Sequence, residues 1–321
     1  MKHRSWAAAY ALFALALIAV PIRAQSVEHG IQLFNARKYL EARAALLPYG
    51  KGDANAAYYL GRAEMELNGA DKAADWFELA VKMNPKSAVY YDWLARAYGT
   101  QAQHASRFKL PFLASKARNA WETALALDPE NLDVRDDLVS YYTQAPGVLG
   151  GSKDKAREMA SEIKKRNAFR GSMAAANLCA GLKDTTCVER ELRQMVTSYP
   201  DSPTVHASLA VFYANQKQFD KAFTVLDQRL RAKPNELLTL YQVGRTAAIS
   251  GQHLDRGEQA LKTYLASPIP ERGPAPAGVH YRLGMIYQKK GAKDLAREEY
   301  RTTLQLNPKH EDALKALAGL K

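Results

Sequence analysis

Residues 60–85 read LGRAEMELNGADKAADWFELAVKMNP, and residues 283–308 read LGMIYQKKGAKDLAREEYRTTLQLNP. Both place a Leu-Gly pair ahead of an alanine twelve residues past the glycine (Ala73, Ala296). An aromatic ring follows four residues later (Phe77, Tyr300), and a proline twelve residues past the alanine (Pro85, Pro308). Residues 209–234 keep this register with Ala210 for the glycine, Leu226 for the ring, and Ala222 and Pro234 unchanged in kind. Each choice has a mechanical reason. Gly61, Ala210 and Gly284 mark a first helix that a second must approach closely, and Ala73, Ala222 and Ala296 are their counterparts on that second helix. The ring or leucine one turn on is expected to fill the space between neighbouring pairs. Proline lacks an amide donor and clashes with the preceding turn, so it stops the second helix.

Weaker copies fill the gaps at a period of about 34 residues. Gly30 with Ala42 opens the row. Leu94, Ala95, Tyr98, Ala117, Trp121 and Pro129 follow, with extra residues between the helices. Tyr142 with Ala156, then Ala176 with Leu192 and Pro200, then Gly244 with Leu261 and Tyr264, complete it. The pattern resembles the tetratricopeptide repeat family over nearly all of residues 25–321. The resemblance implies an all-α chain: an α-solenoid, wound as a right-handed superhelix, of about eight helix-turn-helix pairs and a C-terminal helix near 311–320. Its stability would be a sum of neighbour interfaces. It also implies a partner, a protein or peptide, held in the concave groove lined by first helices. Carried across by register, the groove set is Asn55, Tyr58, Arg62, Met65, Asp92, Arg96, Tyr241, Arg245, Tyr281 and Met285, with Asp133 and Asp136 between. Tyr, Arg and Met make good anchors in protein contacts.

Composition agrees with a folded helical chain. The hydrophobic fraction is 47%, far above that of disordered sequences, and strong helix formers outnumber β-branched residues. The N-terminus follows the grammar of a secretory signal peptide over residues 1–24: Lys2, His3 and Arg4, an uncharged stretch from Trp6 to Val20, then Pro21 and a cleavage point after Ala24. The expectation is therefore a secreted, periplasmic protein. Cleavage would lower the net charge of +12 by the three units of Lys2, Arg4 and Arg23. The remaining positive balance suits acidic partners, anionic polysaccharide or membrane headgroups as the alternative to a groove-bound protein.

Cys179 and Cys187 are the two cysteines. Across a tight helical turn in an oxidising compartment they would form one local disulfide; two buried thiols are the other reading. Three interruptions break the repeat. Residues 99–116 are read as a long loop carrying Arg107-Phe108-Lys109-Leu110-Pro111-Phe112, whose rings are expected to fold back on adjacent helices, the alternative being an exposed docking tip. Residues 145–153 are glycine-rich, but from Gly147 the second glycine and the hydroxyl of a phosphate loop are Ser152 and Asp154, so nucleotide binding is not expected. The proline-rich stretch 268–278 reads as a linker.

No arrangement of catalytic residues emerges. The seven histidines are scattered, no G-x-S-x-G element exists, and neither cysteine has a neighbouring histidine. The expectation is no enzyme, no cofactor and no metal. Nucleic acid is not expected either, since the basic residues are spread along the helices and mixed with acids.

Overall fold

The computed structural model describes residues 22–269 and 273–320. The charged and apolar parts of the expected signal peptide fall outside the described residues, as does Pro270 of the linker. All regular elements among the described residues are helical. They group into two compact units, one ending at Ala156 and the other starting at Arg157.

The first unit pairs α1 (Ile22–Asn35) with α2 (Tyr39–Leu46), α3 (Ala54–Glu66) with α4 (Ala70–Met83), and α5 (Ala88–His104) with α6 (Leu110–Leu127). It continues into α7 (Leu132–Gln144) and the start of α8 (Lys153–Arg166). The second pairs α9 (Ala168–Gly181) with α10 (Thr185–Ser198), α11 (Pro203–Asn215) with α12 (Phe219–Ala232), α13 (Leu237–Ser250) with α14 (Leu254–Leu265), and α15 (Pro276–Lys289) with α16 (Lys293–Leu306). Helix α17 (Glu311–Gly319) ends it. This is the order of an α-solenoid: among the described residues, seven packed pairs, α7 followed by α8, and a terminal helix.

Local chemistry sets the boundaries. Asp53, Ser87, Asn131, Asn167 and Asp184 cap their helices by accepting a backbone N–H three residues on. The turn inside six of the pairs shares one geometry: the residue seven past the small position is left-handed in Arg37, Asn68, Lys183, Lys217, Gly251 and Gly291. The following amide reaches back across the helix end in five of them, as from Gln218 to the Tyr213 carbonyl at 2.8 Å, which satisfies end carbonyls in the manner of a Schellman turn.

The glycines meet the ring rather than the alanine. A Cβ on Gly61 would lie 2.6 Å from the Phe77 ring, and one on Gly284 2.5 Å from the Tyr300 ring. Phe77 then reaches Trp93 of the next first helix at 6.1 Å between centroids. The ring therefore packs within its own pair as well as between pairs, the latter being the role expected from sequence alone.

Neighbouring pairs are joined by a repeated polar clasp. A tyrosine on one first helix donates its hydroxyl to a glutamate on the preceding second helix, and a lysine joins the carboxylate. Tyr98 does so with Glu78 and Lys116, Tyr142 with Glu122 and Lys155, and Tyr213 with Glu189 and Lys221. Tyr287 reaches Glu258 at 2.9 Å, with Lys262 and Lys290 each at 2.7 Å.

Two interruptions differ from their reading as loops. Residues 99–116 lengthen the helices: α5 runs on to His104 and α6 starts at Leu110, leaving Ala105 to Lys109 as the connection. Pro111 does not break α6 because it sits in the first turn, where its missing donor would have no partner. Phe108 and Phe112 do not fold back; they are 79% and 62% exposed. In the glycine-rich stretch, residues 147–149 form one 3-10 turn and Gly150 alone takes a positive φ, of 88°. Gly151 is needed for a different reason: a Cβ there would lie 1.7 Å from the Ala145 carbonyl oxygen.

Candidate functional site

In the first unit, the register places Asn55, Tyr58, Arg62 and Met65 along α3, with Asp92 and Arg96 on α5 and Asp133 and Asp136 on α7. Asn55 and Asp133 are exposed and Met65 half-buried. The stronger anchors are occupied within the protein. Tyr58 is buried, stacks on Tyr90 at 5.0 Å and accepts from Arg62; burial pushes its hydroxyl up from the usual range. The Arg62 guanidinium lies over the Trp93 ring at 4.2 Å and the Phe34 ring at 4.8 Å, each worth a modest attraction.

Arg96 is shared between Asp92 at 3.1 Å and Asp137 at 2.7 Å. Asp92 also accepts from the Trp121 indole at 3.2 Å. Burial raises the Asp92 carboxyl against the pull of Arg96. It raises Asp137 to about 6, Arg96 opposing and Asp92, Asp136 and Asp133 adding to the rise. Asp137 was not in the groove set read from the repeat.

In the second unit the same register gives Tyr241 and Arg245 on α13 and Tyr281 and Met285 on α15, two helices that pack side by side. All four are half-buried. Arg245 follows Gly244 as Arg62 follows Gly61, yet its surroundings differ. Among the described residues its Nη1, shielded from solvent, has no hydrogen-bond partner. Burial lowers its affinity for the proton, Arg282 lowers it further, and Tyr241 opposes weakly; no acid stands among these groups. Arg282 itself lies over Tyr281 at 5.2 Å and donates to the Met285 sulfur at 3.1 Å. The acid bearing on Tyr281 is Asp312 of α17. Arg282 has no signal in the repeat register and was absent from the expected set.

Cys179 on α9 and Cys187 on α10 are joined as a disulfide, with Cα atoms 5.6 Å apart. No group of three or more His, Cys, Asp or Glu arranged to hold a metal ion occurs among the described residues.

Helical hairpins stacked in one register, with a first-helix face rich in Tyr and Arg, define a class of helical repeat proteins. Models of the tetratricopeptide repeat match residues 27–88 and 277–310, so the chain carries tetratricopeptide repeats in both of its units. It is similar to the structure of a tetratricopeptide repeat protein from Parabacteroides merdae, at 13% identity over 83% of this chain and 97% of that one, with a TM-score of 0.50. It is also similar to the human IFIT1 dimer with PPP-AAAA, at 14% identity over 91% of this chain and 72% of that one, with a TM-score of 0.50. Both likenesses are of fold. No curated protein sequence matches the chain.

Proposed function

We propose that the protein is a periplasmic, non-enzymatic scaffold that captures a protein or peptide on the first-helix face of its second unit, within an envelope or secretion assembly. Arg245 carries this reading. A guanidinium nitrogen withdrawn from water without a partner is costly, and here Arg282 adds repulsion rather than relief. A carboxylate from a partner would satisfy both cations, with Tyr241, Tyr281 and Met285 as its apolar surround. The N-terminal signal grammar supports secretion, and the bridge between Cys179 and Cys187 suits an oxidising compartment.

The test is crosslinking in the native envelope, followed by binding of the captured partner to purified variants. Arg245→Gln is expected to weaken that binding about ten-fold, the scale of one charge-assisted contact, with helicity unchanged and melting no lower, because the substitution removes a repelled cation. Unchanged affinity would reject the site.

A second reading rests on the exposed Phe108 and Phe112. Arg107 lies over the first ring and Lys116 over the second, so this tip would seat on anionic headgroups. Vesicle binding that falls steeply with salt and is lost in Phe108→Ser/Phe112→Ser would favour it.

A further inference from the structure

The lengthened helices and the glycine-rich turn of the first unit border an open cleft of about 390 Å³ between α5, α6 and α7. Its walls include Ala114, Ala117, Trp121, Tyr141 and Leu149, and Asp137 opens into it. We propose that this cleft binds a small organic cation, an ammonium group carried on an aromatic or aliphatic body.

The walls are held before any ligand arrives. The Trp121 indole donates to Asp92 at 3.2 Å, and the Tyr141 hydroxyl donates to the Leu149 carbonyl at 2.5 Å. The two rings stand 6.1 Å apart. The volume is within the span of small-molecule sites, which are mostly apolar with a few placed polar groups.

Charge selects the ligand. One guanidinium, Arg96, serves both Asp92 and Asp137, and Asp133 and Asp136 on α7 add negative charge around Asp137. Arg118 and Glu122 on α6 act on Tyr141 with opposite signs. The deficit at Asp137 is therefore of positive charge, in a place where burial already makes the carboxylate costly. An ammonium placed there would meet the carboxylate while its body covered Trp121 and Tyr141, whose ring faces attract cations. The repeat itself does not supply this cleft, because it arises from the two interruptions. It uses none of the second-unit residues proposed above for partner capture, so either reading can fail alone.

The probes are phenethylamine and its neutral counterpart phenethyl alcohol, titrated into the mature protein and followed by the indole NMR signals. The amine is expected to shift the Trp121 signal saturably at pH 7.5, with the alcohol at least ten-fold weaker. Asp137, at about 6, is mostly protonated at pH 5, so amine affinity should fall about ten-fold there, one factor of ten per unit below the pKa. Asp137→Asn should remove the preference for amine over alcohol. Gln103→Trp, at an exposed lining position, should block both probes without touching the core. The proposal is overturned if the amine leaves Trp121 unmoved, if the alcohol binds equally, or if Asp137→Asn retains the preference.

Discussion

A single glycine carries much of the packing in a pair. In a helix interior glycine is about 1 kcal/mol worse than alanine, so Gly284→Ala would stabilise α15 if nothing opposed it. The Tyr300 ring opposes it, since the added Cβ would lie 2.5 Å away, and overpacking of this kind costs about 1–3 kcal/mol. The expected outcome is net destabilisation in urea titration, partly relieved by Tyr300→Leu, because Ala210 and Leu226 already occupy these two positions in the third copy. Recurrence made the small positions legible, but self-alignment shows which residues recur and not which ones touch. That is why the alanine, rather than the ring, was read as the glycine's counterpart. Availability was equally hidden. Arg62 and Arg245 share a register position, yet Arg62 is covered by Phe34 and Trp93 from two other helices, while no ring among the described residues lies over Arg245. Sequence spacing along one helix carries no record of what the neighbouring helices bring.

Among the elements, the tyrosine–glutamate–lysine clasp is what couples one pair to the next through polar groups. Tyr98 and Tyr142 stood out in the repeat, and Tyr213 and Tyr287 hold the same position in their copies, but the glutamates lie between about 20 and 29 residues earlier, in positions that a scan for one pair does not connect. Glu258 shows what the clasp does. Burial works to raise its carboxyl, but the hydrogen bonds from Lys262, Lys290 and Tyr287 outweigh burial and hold it at about 2. Its folded pKa is depressed below the ordinary 4.5, so its contribution is present above that value and is lost as pH falls toward 2. Glu258→Gln should therefore destabilise by about 1–2 kcal/mol at pH 7 and converge with the wild type in acid. A gap between the two that persisted at pH 2 would mean that packing, not charge, holds this joint. The interruptions were the least legible elements. A run containing Gly99 and Pro111 looks like a loop by composition, although each fits its helix: a Cβ on Gly99 would lie 3.4 Å from the Trp121 ring, and Pro111 sits in a first turn.

At the scale of the whole molecule, repeat proteins draw stability from neighbour interfaces and need not unfold as one body. The chain offers an internal probe of this. Trp76, Trp93 and Trp121 all belong to the unit ending at Ala156, and Trp6 lies outside the described residues. Indole fluorescence of the proposed mature protein, which lacks Trp6, thus reports one unit, while circular dichroism reports both. Gly284 and Tyr300 belong to the other unit, inside a core that runs from Ala176 to Leu320. Gly284→Ala is expected to lower part of the dichroism melt by several degrees, at about 2–4 °C per kcal/mol for a body of this size, and to leave the indole transition where it was. Split transitions would make each unit its own stability ledger, so that a partner bound on α13 and α15 would protect only the second. An indole transition that moved by the same amount would instead join both units in one cooperative body, and binding at either site would then raise the melting of all of it.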